Sequence, residues 1–170
     1  MPNKTTPITM DAVYTAPGYL FRRMQQIAVA IFMEECRAYD LTPVQYAALV
    51  AIRTHPGIDA TRLSAVIAFD RSTIGSVVSR LESKKWIKRV SGERRSKRLT
   101  ITPAGRKVLR EIDATVDRSQ KLILAPLAPA EQPAFIDMLE RLVKLNNARS
   151  RAPLGATAVD ERPSKTQRKD

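Results

Sequence analysis

Apolar positions recur at helical spacing along most of this chain and at strand-like spacing in one short region. From Gly18 to Tyr39, Leu20, Met24, Ile27 and Ile31 form one stripe, which Phe21, Ala28, Phe32 and Cys36 widen. A helix apolar on more than one side must be covered on more than one side. Leu41-Thr42-Pro43 then reads as a helix start, with Thr42 as N-cap and Pro43 in the first turn. That helix carries Tyr46, Leu49, Val50 and Arg53 and stops at His55-Pro56-Gly57. Asp59 or Thr61 caps a short helix through Leu63, Val66 and Ile67, and Phe69-Asp70-Arg71-Ser72 makes a short turn. From about Ser72 to Lys84, Ile74, Val77, Val78 and Leu81 fall at i, i+3, i+4 and i+7, which is a single buried face.

Two β-branched or aromatic stretches follow, Trp86 to Val90 and Leu99 to Ile101, on either side of a charged hairpin loop from Ser91 to Arg98. Thr102-Pro103 repeats the cap-plus-proline signal and predicts a long helix to Leu124, seamed by Val108, Ile112, Val116 and Ile123. Pro126 and Pro129 break it, and a last helix runs from Pro129 to about Asn147 with Phe135, Leu139, Leu142 and Val143 inward. Residues 1–17 read as an arm, helical in part from Asp11. Residues 148–170, poor in large apolar side chains and rich in Arg, Lys and Pro, read as a disordered basic tail. The predicted fold is therefore mainly α with a small β-hairpin wing. Its centre, residues 41–101, is a winged helix-turn-helix: helix, turn, helix, then a basic hairpin.

Charge sharpens this picture. Thirteen Lys or Arg and only two acids, Glu82 and Glu93, lie between Arg71 and Arg110, so these 40 residues hold +11 of the chain's net +12. A surface kept only for solubility mixes both signs, whereas a one-sign surface suits phosphate. The expected partner is double-stranded DNA. An α-helix fills the major groove, and a hairpin beside it reaches the neighbouring minor groove. With its apolar face buried, the second helix of the motif presents Ser72, Thr73, Gly75, Ser76, Ser79 and Arg80 on the other side. Small hydroxyl residues let a helix approach closely and bond phosphates or base edges, or else cap their own turn; Arg80 reaches a guanine edge or a phosphate. Arg94 and Arg95 at the hairpin tip suit a narrow minor groove. Arg71, Lys84, Lys97 and Arg98 complete the candidate DNA-binding set.

Other classes are disfavoured. The longest apolar run, Ile27 to Met33, is far short of the roughly 20 residues of a membrane span. The first residues have no apolar segment of a secretory signal. One Cys and one His exclude a Cys/His zinc cluster, and there is no P-loop, GxGxxG or GxSxG sequence. The expectation is a cytoplasmic protein that is not an enzyme and needs no metal or cofactor.

Four local patterns then resemble the MarR family of bacterial transcription regulators, over about Gly18 to Asn147. Leu41-Thr42-Pro43-Val44-Gln45-Tyr46 is similar to the family's L-T-x-x-Q-aromatic opening of its second helix. Arg62-Leu63-Ser64-Ala65 with Asp70-Arg71-Ser72-Thr73-Ile74 resembles its first motif helix and the start of its recognition helix. Arg80-Leu81-Glu82 with Trp86-Ile87-Lys88-Arg89 resembles the exit into the wing, and Arg94 through Gly105 the wing's return strand and the L-x-L-T-x-x-G that opens the long helix. Two positions depart from the pattern: Lys85 stands where the family often has Gly, and Glu93 where it usually has Asp.

The resemblance implies a homodimer built from helical regions 18–40 and 125–147, with 102–124 as a linking helix. The two flanking helices support this, since they carry more apolar surface than one small domain covers. Recognition helices about one helical turn apart imply an inverted-repeat operator. Family members are commonly repressors released by small aromatic or phenolic carboxylates. The implied pocket has Tyr19, Arg22, Arg23, Tyr46, His55 and Arg106 as candidates, an Arg pairing with the carboxylate and a Tyr flanking the ring. Tyr46 as a core anchor, the α-helical arginines as a solvated face and His55 as a helix-end cap are the competing readings. Cys36 lies near the end of the first long helix with Glu34 and Glu35 beside it, where carboxylates raise a thiol's pKa, so it reads as structural rather than as a redox sensor. A ligand-independent winged-helix architectural protein is the other alternative; it would bind DNA with little sequence preference.

Overall fold

The computed structural model describes residues 9–91 and 97–155. A short helix α1 (Met10–Tyr14) leads into α2 (Pro17–Glu35) and a 3₁₀ turn at Arg37–Tyr39. Then come α3 (Pro43–Thr54), α4 (Ala60–Val66), α5 (Ile74–Ser83) and the hairpin of β1 (Ile87–Ser91) and β2 (Lys97–Ile101). α6 (Pro103–Glu111), α7 (Asp113–Leu124) and α8 (Glu131–Asn146) follow, with a final 3₁₀ turn at Asn147–Arg149. Among the described residues no helix is long and apolar enough to cross a membrane.

Local chemistry accounts for the boundaries. Thr42 caps α3 by accepting from Gln45 N, while the Gln45 side chain accepts from Thr42 N. This reciprocal box adds to the Thr-Pro signal the Gln three residues on. Asp59, rather than Thr61, caps α4 by accepting from Arg62 N at 2.8 Å. Thr102 caps α6 through Gly105 N, and its hydroxyl also lies 2.7 and 3.0 Å from the carbonyl oxygens of Lys85 and Trp86. The cap thus ties α6 to the start of the wing.

The end of α5 shows how the chain manages without glycine. Lys85 N donates to Glu82 O at 2.8 Å and Trp86 N to Leu81 O at 3.1 Å, the paired bonds of a Schellman closure. Lys85 sits at its left-handed position with φ +59°. An L side chain there costs roughly 1–2 kcal/mol. Lys85→Gly is therefore expected to raise stability by about 1 kcal/mol, measured as a shift in the denaturant midpoint at unchanged m.

The hairpin pairs Ile87 with Ile101 and Arg89 with Leu99. Ile58, just before α4, adds a one-residue bridge to Leu99, with Gly57 N to Leu99 O at 3.0 Å and Leu99 N to Ile58 O at 2.9 Å. The core lies where α3, α4, α5, α6 and the hairpin meet the end of α2, around Leu49, Ile52, Leu63, Leu81, Ile87, Leu99 and Ile112.

Four expectations change. The recognition helix is regular only from Ile74, because residues 71–73 form a turn. The long helix is interrupted at Ile112 (φ −89°, ψ −4°), although Ile112 N still bonds Val108 O and Val116 N still bonds Ile112 O. The last helix buries none of its residues: Leu142 and Val143 are exposed rather than inward. Finally, residues 148–155 of the expected basic tail are docked on the motif: Gly155 N donates to Ala65 O at 3.0 Å, Arg151 pairs with Asp70 at 3.2 Å, and the Asn147 side chain bonds Leu154 N and O.

Candidate nucleic-acid interface

α5 is divided as its spacing requires. Ile74, Val77, Val78 and Leu81 are buried, while Gly75, Ser76, Ser79 and Arg80 are exposed, as are Arg71, Ser72 and Thr73 in the turn before it. This turn is built by Asp70, whose carboxylate accepts from Ser72 N at 2.8 Å and Ser72 Oγ at 2.7 Å. These bonds, together with Arg151 nearby, hold the Asp70 carboxyl below the usual carboxylate range. Thr73 Oγ1 donates to Asp70 O at 3.0 Å and Ser76 Oγ to Thr73 O at 2.8 Å. The hydroxyls thus brace their own turn, and each keeps acceptor capacity on its exposed side. Arg71 donates to Thr61 Oγ1 at 3.0 Å, which links the two motif helices.

Ser79 accepts from Arg89 Nη2 at 3.0 Å, and Arg89 also pairs with Glu82 at 3.3 Å. The base of the wing is thereby fixed to the exposed face of α5. Lys97 and Arg98 are exposed on β2. Arg94 and Arg95 lie outside the described residues. Arg98 runs past Gly57, whose φ is +82° and where an added Cβ would lie 3.7 Å from Arg98 Cδ. Arg98, Arg62 and His55 line a cavity of about 370 Å³ together with Asp59 and Ile58. Arg62 was not singled out from sequence; its motif, Arg-Leu-Ser-Ala, is legible as the first motif helix, but which way an exposed Arg points is not.

Lys84 is placed differently from the expectation. Its ammonium bonds the carbonyl oxygens of Tyr39 and Asp40 and the Asp40 carboxylate, and sits 4.8 Å from the Trp86 ring centroid. It clasps the end of α5 to the turn after α2, and Asp40 adopts φ +46° there. The bond and charge of Lys84 hold the Asp40 carboxyl below its ordinary range. These bonds give Lys84 a part in positioning α5.

The candidate pocket residues fall in several places. Tyr19, Arg22 and Arg23 are neighbours on α2: the Arg22 guanidinium lies 5.0 Å from the Tyr19 ring centroid, and both arginines donate to Gln26 Oε1. Tyr14 packs against Tyr19 with ring centroids 5.4 Å apart. Tyr46 packs on Phe32, and burial, with the charge of Asp113 second, pushes its phenol up. His55 Nδ1 lies 3.1 Å from Ala51 O and 2.9 Å from Thr54 Oγ1, in keeping with a helix-end cap. Arg106 is exposed on α6. Cys36 is fully buried, and burial followed by the charge of Glu35 pushes its thiol up, which disfavours a thiolate. Among the described residues no group of three or more Cys, His, Asp or Glu is placed to hold a metal.

This arrangement of a winged helix-turn-helix between exposed apolar helices matches known proteins. The model of the MarR family matches residues 39–98. The chain is 33% identical over 130 residues to a transcriptional regulatory protein for the hcr operon of Thauera aromatica, spanning 75% of this chain and 78% of that one. Bordetella bronchiseptica BpsR, whose DNA binding is regulated by 6-hydroxynicotinic acid, is 27% identical with a TM-score of 0.73, covering 82% of this chain and 99% of that chain. The Streptomyces coelicolor regulator PcaV is 33% identical with a TM-score of 0.68, covering 79% and 99%, and has also been solved with its natural ligand. The chain belongs to the MarR family: it is a DNA-binding transcriptional regulator and not an enzyme.

Proposed function

We propose that this regulator is a homodimeric repressor that binds an inverted-repeat operator and is released by a small aromatic carboxylate. The observation that carries this reading is the division of α5, with four apolar side chains buried and Ser76, Ser79 and Arg80 exposed on a helix flanked by a basic wing. The candidate contacts are Arg71, Ser72, Thr73, Ser76, Ser79 and Arg80 in the major groove. Lys97, Arg98, Arg94 and Arg95 serve the wing. The dimer reading is supported by α8, which has no buried residue yet carries Leu142, Val143 and Leu145. The effector reading is supported by the likeness to BpsR and PcaV and by an arginine pair beside a tyrosine at the start of α2. A guanidinium holds a carboxylate bidentately, and an aromatic face packs on a ring. Release follows when the acid binds better to a conformation with the wrong recognition-helix separation, and the shift equals that difference in affinity.

The test is a DNA-bound population challenged with a panel of hydroxylated benzoic and nicotinic acids, 6-hydroxynicotinic acid among them. At least one acid is expected to release wild-type protein. Arg22→Ala with Arg23→Ala is expected to leave DNA affinity within about twofold and to raise the acid needed at least about tenfold, the cost of a lost charged hydrogen bond. An unchanged acid response in that variant sinks the pocket assignment.

A further inference from the structure

After α8 the chain turns back onto the helix-turn-helix. The Asn147 amide brackets this turn, its Oδ1 accepting from Leu154 N at 2.8 Å and its Nδ2 donating to Leu154 O at 3.1 Å. Gly155 N donates to the Ala65 carbonyl in the last turn of α4 at 3.0 Å, and the approach is close, since a Cβ on Gly155 would lie 3.3 Å from the Ala65 Cβ. Residues 147–155 therefore form a strap anchored at both ends. Between the anchors it carries Arg151, whose Nη2 donates to Asp70 Oδ2 at 3.2 Å across 81 residues of sequence. The other oxygen of that carboxylate, Oδ1, accepts from Ser72 N and Ser72 Oγ. One carboxylate thus joins Arg151 to the exposed turn that opens α5.

We propose that Arg151 is a DNA-binding residue supplied by this strap, donating to a backbone phosphate at the start of the α5 face. The proposal rests on the reading of α5 and the wing as a DNA surface, and three observations carry it further. The first is place: Ser72 and its neighbour Arg71 are candidate contacts, and a single carboxylate separates Arg151 from Ser72. The second is donor capacity. A guanidinium has five N–H donors in a planar fork. Among the described residues that of Arg151 bonds only Asp70, and the side chain is 91% exposed. With one edge oriented by Asp70, the remaining donors are open to a phosphate. The third is charge. Asp70 is the only acid from Ala60 to Leu81, so alone it would set a negative charge where a duplex approaches Ser72. Arg151 offsets that charge, and the phosphates then meet a turn left positive by Arg71. An exposed ion pair of this kind adds little to folding stability, so its worth lies in what it presents.

The test uses the full chain and a duplex that the wild-type chain selects from a random pool, with affinity measured across a salt series. Arg151→Gln is expected to bind about tenfold more weakly at low salt and to lower the log–log salt slope by about one per bound chain, while melting at the wild-type temperature. Arg151→Lys keeps the charge and is expected to keep the slope. Arg149→Gln removes the same charge two residues earlier, at a side chain with no ion pair among the described residues, and is expected to change the slope by less than half as much. An unchanged slope in Arg151→Gln overturns the contact whether or not affinity falls; weaker binding with a lower melting temperature at that same slope leaves Arg151 as a brace of the Asp70 turn alone. Equal slope changes in Arg149→Gln and Arg151→Gln overturn the placement and leave only net charge. Failure of the wild-type chain to select any duplex instead overturns the DNA reading itself, and the contact with it.

Discussion

Phe21→Glu combined with Leu142→Glu is expected to convert the proposed homodimer to a monomer and to weaken DNA binding by about 10²- to 10⁴-fold. Leu20 and Phe21 are 52% and 51% exposed on α2, and Val143 and Leu145 are 65% and 76% exposed on α8. Exposed apolar residues in such number on two helices of one small chain need a cover, and a two-fold dimer covers the same patch on both copies. A buried carboxylate at that contact has no partner and costs several kcal/mol. In the proposed dimer, separating the copies turns an intramolecular second half-site contact into an independent one, which is the origin of the expected range. Light scattering reads the mass, and circular dichroism verifies that the helices persist. A variant that stays dimeric would place the interface elsewhere.

Gly105→Ala is expected to destabilise the protein by about 3 kcal/mol, or about 10 °C in Tm, and to displace the wing. A Cβ at this position would lie 2.2 Å from the Trp86 carbonyl oxygen and 2.9 Å from Ile101 Cγ1. Backbone at the root of β1 cannot yield as a flexible side chain would, because Thr102 N and the Thr102 hydroxyl both hold it from the other side. Gly75, on the exposed face of α5, is the control: nothing lies within 4 Å of an added Cβ there. Gly75→Ala is expected to melt no lower than wild type, since alanine favours the helix by up to about 1 kcal/mol. Equal melting of both variants would remove the packing explanation.

What was legible in the sequence was what local chemistry determines. Thr42-Pro43 and Thr102-Pro103 mark helix starts because capping uses neighbours in sequence. Ile74, Val77, Val78 and Leu81 predict one buried face because helical period alone aligns them. The left-handed backbone at Lys85 was suggested only by the resemblance, since the family often has Gly there, and not by the local sequence. The contacts of Lys84 were not legible because its partners lie across the fold at Tyr39 and Asp40. A basic residue at the end of a recognition helix looks the same in sequence whether it grips phosphate or a carbonyl. Leu142 and Val143 were placed inward because periodicity identifies an apolar stripe but not whose surface covers it. The docking of residues 147–155 was not legible because Asn147, Arg151 and Gly155 form no local pattern; their partners are Leu154, and Asp70 and Ala65 in the motif. The candidate pocket residues share this difficulty, being spread over α2, α3, α6 and the loop after α3.

The central claim is sequence-specific DNA binding by the α5 face and the wing. Fluorescence anisotropy of the full chain tests it most directly, comparing the DNA upstream of its own gene with a scrambled duplex at physiological salt. A preference of about a thousandfold or more is predicted. Should that DNA fail, duplexes selected from a random pool provide the second probe. Equal, weak and salt-sensitive binding to selected and scrambled DNA alike would contradict the account and leave a chain that only neutralises phosphate.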